Sequence, residues 1–89
     1  MSCTILIPTH DRPTLLRRAV ASALAACPQG GEVLVVDDAS APPAAEALAT
    51  VGDPRLRVIR NQGPRGASGA RNHGVAATRH ELVFFLDDD

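Results

Sequence analysis

The 89-residue sequence contains no tryptophan, tyrosine or lysine, and its only aromatic side chains are Phe84 and Phe85. The 45% hydrophobic content is therefore aliphatic, and much of it is alanine. No apolar run approaches the roughly 20 residues that a membrane-spanning helix needs. Every basic residue is arginine, and none of them gather into a run, so the electrostatic footprint of a nucleic-acid binder is missing. The formal net charge is −1. Cys3 and Cys27 match no metal-binding spacing and read as free thiols in a reducing compartment. No H-x-x-x-H or H-E-x-x-H pattern occurs, which argues against a zinc site. The first residues lack a basic stretch followed by a long apolar one, so no secretory leader is expected. The expected location is the cytoplasm, with the full-length protein at the cytoplasmic face of a membrane.

What is present is an alternation of strand and helix signals. Residues 4–8 form a short apolar run of strand formers. Over residues 12–26, Leu15, Leu16, Ala19, Val20, Ala23 and Leu24 recur at helical spacing. Asp11 is placed to cap that helix, and Pro13 to sit in its first turn. Residues 32–36 read as a second strand, and residues 43–50 as a short alanine-rich helix capped by Ser40. Residues 56–60 read as a third strand, 67–79 as a third helix and 82–86 as a fourth strand. The first, second and fourth strands are apolar throughout, the pattern of strands buried on both faces of a parallel sheet. The expected fold class is α/β: a Rossmann-like parallel four-stranded sheet with helices on both faces.

Ligands of open parallel sheets bind beyond the carboxyl ends of the strands, where the strand order switches. The segments following the strands are therefore the ones to read for chemistry. They are Pro8-Thr9-His10-Asp11-Arg12, Asp37-Asp38-Ala39-Ser40, Asn61-Gln62-Gly63 and Asp87-Asp88-Asp89. Polar and acidic groups thus converge on one edge of the sheet, which no fold requires, since any turn residue can end a strand. Asp87-x-Asp89 offers two hard oxygen donors suited to Mg²⁺ or Mn²⁺, which would neutralise a departing diphosphate. Taken alone, the same residues read as a solvated acidic chain end. Of the acidic pair after the second strand, Asp38 is nearer the loop and is favoured for a ligand, Asp37 for support. Gly66, Ala67, Gly69 and Ala70 would let the third helix approach the sheet closely, and Arg71 would face a phosphate or the carboxylates. His10 lies in the first exit loop and is a ligand candidate. His73 and His80 read as helix-surface or helix-end residues.

Four blocks in this order, 7–13 (IPTHDRP), 35–40 (VVDDAS), 66–74 (GASGARNHG) and 84–89 (FFLDDD), resemble the inverting glycosyltransferases of family 2, which have the GT-A fold. The resemblance covers residues 3–89 and only the first part of a complete family domain. It implies the strand order 3-2-1-4. It implies that Pro8, Thr9 and Arg12 line a nucleoside site, that Asp38 contacts the base, and that Arg71 lies near the diphosphate. Asp87 and Asp89 would bind the sugar nucleotide and the metal, Asp89 foremost as metal ligand. The implied donor is a nucleotide-diphosphate sugar, a UDP-sugar first of all, and the acceptor is a saccharide or lipid hydroxyl. The general base and the acceptor site belong to a later segment of the family, so residues 1–89 are expected to be the donor-binding portion and inactive alone. The free edge of the fourth strand is expected to promote self-association. The sequence departs from the family at His10 and Asp11, where an aromatic and an Asn are usual, at Ala39, where Gly is usual, and at Gly69, where Ala is commoner. The competing readings are a nucleotidyltransferase, an aspartate-dependent phosphatase, and a non-catalytic receiver-like module with an acidic pocket.

Overall fold

The computed structural model describes residues 2–88. Four strands, β1 (Cys3–Thr9), β2 (Glu32–Asp38), β3 (Leu56–Asn61) and β4 (Leu82–Phe85), alternate with three helices, α1 (Pro13–Ala26), α2 (Ala44–Ala47) and α3 (Gly66–Ala77). The sheet is wholly parallel, in the order β3-β2-β1-β4 that the family resemblance implies. The chain therefore steps outward twice from β1 and then returns to its other side, which puts the switch point between β1 and β4.

Each face of the sheet has its own core. On one, Leu16, Val20 and Ala23 of α1 and Ala44 of α2 pack on Ile7, Val33 and Val35. On the other, Ala70 of α3 packs on Leu6, Leu34 and Val36. Strand β2 is buried along its whole length, as its continuous apolar run implies. Strand β4 is not. Phe84 and Phe85 are about half exposed, because β4 is an outer strand and the helices cover β1 and β2. An apolar strand at a sheet edge carries the same residue pattern as a buried one, so the run could not reveal this.

The helix starts also differ from expectation. No side chain caps α1. Asp11 has φ 53° and turns away, its carboxylate accepting the Ala41 N–H at 2.8 Å. Ser40 does not cap α2. Its hydroxyl accepts the Asp11 N–H at 2.9 Å, while Asp37 takes the Ser40 and Ala44 N–H groups at 2.9 and 2.8 Å. Helix α2 keeps only four residues before Leu48 turns into the core. Helix α3 stops at Ala77, two residues early, because Glu32 captures the Arg79 N–H and the Thr78 hydroxyl, and Arg57 takes the Ala77 carbonyl at 2.6 Å.

Ala39, at the turn after β2, has φ 60°, in the left-handed region. That conformation costs an L-residue roughly 1–2 kcal/mol, while glycine would add roughly 0.4–1 kcal/mol of unfolded-chain entropy. Ala39→Gly is therefore expected to raise the unfolding free energy by about 0.5–1 kcal/mol, read from the urea midpoint at unchanged slope.

Candidate functional site

Beyond the carboxyl ends of β1, β2 and β4 lies a cleft of about 430 Å³. The exit of β1 supplies Pro8, Thr9, His10 and Arg12, and the end of β2 supplies Asp38. The loop before α3 and its first turns supply Pro64, Gly66, Ala67, Ala70 and Arg71, and the chain after β4 supplies Asp87 and Asp88. All seven residues singled out from the sequence for nucleotide contact, Pro8, Thr9, His10, Arg12, Asp38, Arg71 and Asp87, thus face one space. Asp89 lies outside the described residues.

The two carboxylates at the end of β2 do different work. Asp37 is 1% exposed and is held by the N–H groups of Ser40 and Ala44 and by Arg60 at 2.6 Å. Burial alone would raise its pKa, but these donors outweigh it and leave the carboxyl below its ordinary range. Asp38 lines the cleft and is also structural. It accepts the Arg65 N–H at 2.8 Å, the Gly66 N–H at 2.9 Å and the Asn61 amide at 3.0 Å. Here too burial pushes upward and the hydrogen bonds prevail, so the pKa is lowered. Helix α3 has no cap of its own, so a β2 side chain satisfies the free N–H groups at its start. Gly66 makes this approach possible with φ 74°, a conformation glycine adopts without strain.

Of the four small residues expected to let α3 approach the sheet, only Ala70 does so, joined by Gly74. Gly66 and Ala67 are exposed, and a Cβ on Gly69 would meet Arg65 of its own helix. Ala70 and Gly74 make the contact. A Cβ on Gly74 would stand 2.3 Å from Leu6 Cδ1 and 2.8 Å from Val36 Cγ2. That fit brings Arg71 to the cleft, where its guanidinium stands 3.4 Å from the exposed carboxylate of Asp87.

Asp88 has a role that the D-x-D pattern conceals. It is 6% exposed and binds the Thr9 hydroxyl at 2.7 Å and Arg12 at 3.0 Å, tying the end of β4 to the exit of β1. Side chains along an extended segment alternate in direction, which was the available signal that the middle aspartate turns away from Asp87. His10 is fixed over the rim, its Nδ1 2.6 Å from the Asp38 carbonyl and its Nε2 3.1 Å from Asp11. His73 is not a simple surface residue: it is partly buried, and its Nδ1 bonds Asn61 Oδ1. Among the described residues, no cluster of three or more His, Cys, Asp or Glu could by itself hold a metal ion. The exposed Asp87 is a hard oxygen donor facing the cleft, which fits a divalent cation that takes its other ligands from water and phosphate.

The chain matches the sequence pattern described as Glycosyl transferase family 2 over residues 4–89. The chain belongs to this family. It is 38% identical over 86 residues to the succinoglycan biosynthesis protein ExoO of Rhizobium meliloti, covering 97% of this chain and 25% of ExoO. It is 35% identical over 86 residues to a pre-mycofactocin glycosyltransferase of Mycobacterium tuberculosis, covering 97% of this chain and 17% of that protein. Among solved structures, the mannosyltransferase PcManGT of Pyrobaculum calidifontis, in complex with GDP-Man and Mn²⁺, superposes with a TM-score of 0.82 at 27% identity. That match covers 98% of this chain and 27% of the mannosyltransferase. The fold is that of GT-A glycosyltransferases. The chain spans about a quarter of the length of the first curated relatives it matches. No helix among the described residues is long and apolar enough to cross a membrane.

Acid should loosen this family 2 site and the fold together. Glu32, Asp37 and Asp38 are all more acidic folded than at their ordinary values of 4.5, 3.8 and 3.8. In Glu32, burial is again outweighed, by the Arg79 N–H, Arg57 and Thr4. The stability they confer is complete above the ordinary values and is lost as pH falls through the lowered ones, because the unfolded chain then binds more protons. The urea midpoint should accordingly fall steeply below about pH 4, with no contribution to slope from these groups above about pH 5.5.

Proposed function

We propose that this chain is the donor-binding portion of an inverting, metal-assisted glycosyltransferase that takes a nucleotide-diphosphate sugar, a UDP-sugar foremost. The observation that supports this most is the meeting of Asp38, Arg71 and Asp87 in one cleft at the switch point of a family 2 sheet. In this reading, Pro8, Thr9 and His10 flank the nucleoside and Asp38 accepts an N–H of the base. Arg71 donates to the diphosphate, where negative charge grows as the glycosidic bond breaks. Arg12, fixed by Asp88, extends the cationic side of the site. Asp87 and Asp89 would hold Mg²⁺ or Mn²⁺, which supplies charge neutralisation of the leaving diphosphate. The similar mannosyltransferase, with its GDP-Man and Mn²⁺, supports this class of donor and cofactor. The general base and the acceptor hydroxyl's site would lie in the three quarters of the relatives' length that this chain does not match.

An NMR titration of the labelled chain with uridine diphosphate, with and without Mg²⁺, tests the reading. Amide shifts are expected at residues 8–12, 65–71 and 86–88. Arg71→Gln, at a partly exposed side chain, is expected to weaken binding about tenfold by removing one charge-assisted hydrogen bond, with the fold intact. Absence of shifts in a folded wild-type chain, with guanosine diphosphate also silent, would sink the proposal.

A further inference from the structure

Asn61 is the last residue of β3, lies in register with Asp38 and is 1% exposed. Its amide nitrogen donates to Asp38 Oδ1 at 3.0 Å. A carboxylate only accepts, so the orientation of the amide is set: its nitrogen faces Asp38 and its oxygen faces His73. Asn61 Oδ1 can only accept in turn, so His73 Nδ1 must carry a proton.

One buried amide therefore reaches α3 at two points. Through Asp38 it helps hold the N–H groups of Arg65 and Gly66 at the helix start. Through His73 it grips the helix two turns further on. Arg71 lies between these points on the helix. Helix α3 is also held at its far end by Arg57 and packed on the sheet through Ala70 and Gly74. The Asn61–His73 bond adds a directional attachment beside Arg71, where apolar packing alone still allows small rotations about the helix axis.

We infer that Asn61 and His73 are positioning residues for the donor diphosphate: they set the rotation of α3 and thereby the distance of Arg71 from the phosphates. This role rests on the donor-site reading. It makes no contact with the ligand and moves no proton.

Two substitutions at His73 test it, because asparagine can present a donor N–H near the position of Nδ1 and leucine cannot. Uridine diphosphate and uridine serve as probes, with affinities measured well below each variant's unfolding midpoint. His73→Leu is expected to weaken uridine diphosphate about tenfold and to change uridine little, since uridine has no phosphate for Arg71 to meet. His73→Asn is expected to recover most of that loss. A merely structural role would lower the unfolding midpoint and leave the ratio of the two affinities unchanged, and that result would overturn the inference. If wild type binds neither probe and guanosine diphosphate is also silent, the donor-site reading itself fails. If His73→Leu does not fold, the imidazole ¹⁵N spectrum of the wild-type chain decides. Protonated Nδ1 supports the inference, and bare Nδ1 with protonated Nε2 overturns it.

Discussion

Asp38→Ala is expected to lower the unfolding free energy by about 3 kcal/mol, equivalent to roughly 15 °C in a domain of this size. The substitution removes the acceptor for the Arg65 and Gly66 N–H groups and for the buried Asn61 amide. Each donor left unpaired costs about 1–3 kcal/mol when water cannot reach it. The total stays near the low end because Arg65 and Gly66 are exposed and can be rehydrated. The start of α3 should fray, and with it the wall of the cleft that holds Gly66, Ala67 and Arg71. Thermal unfolding followed by circular dichroism measures the first effect, and amide hydrogen exchange across residues 65–71 measures the second. A loss under about 1 kcal/mol would mean that the four residues are not linked as described. The same reasoning makes Asp38→Ala a poor control for ligand binding, since lost affinity would not distinguish a missing contact from a loosened helix. Arg71→Gln avoids that confusion.

Gly74→Ala is expected to destabilise by about 2 kcal/mol. Alanine in a helix interior is better than glycine by roughly 1 kcal/mol, but the added methyl would overlap Leu6 and Val36, both fully buried. Overpacking of this kind costs up to about 3 kcal/mol, so the clash outweighs the propensity. Leu6 and Val36 are themselves enclosed, so α3 is expected to lift from the sheet and carry Arg71 away from Asp87. The urea midpoint reads the stability change, and the shift perturbation at Arg71 reads the displacement. A stabilised variant would show that the helix has room to move.

Much of the site was legible because strand ends and chemistry coincide in a parallel sheet. The run of β2 placed Asp37 and Asp38 at its exit, and the family resemblance carried by the four blocks implied the switch point beside β1. Where individual residues point was not legible in the same way. Asp11 and Ser40 have the residue types of helix caps, yet they bond each other's loops, because both loops cross the same end of the sheet. Asn61 has the residue type of a loop position, and its importance appears only when β3 pairs with β2 and brings it level with Asp38. Glu32 ends α3 from the amino end of β2, a partner separated by 47 residues from Arg79.

The element order and the parallel sheet follow from local periodicity and from apolar runs long enough to be buried, and the residues expected at the cleft follow from the strand ends and the family resemblance. Which carboxylates bind the chain itself and which stay open to the cleft is set by how the elements pack. Asp37, Asp38 and Asp88 accept donors from distant segments, while Asp38 and Asp87 line the open cleft. Hydrogen-bond partners of that kind are fixed by strand register and helix approach, and neither is written in the residues that they join.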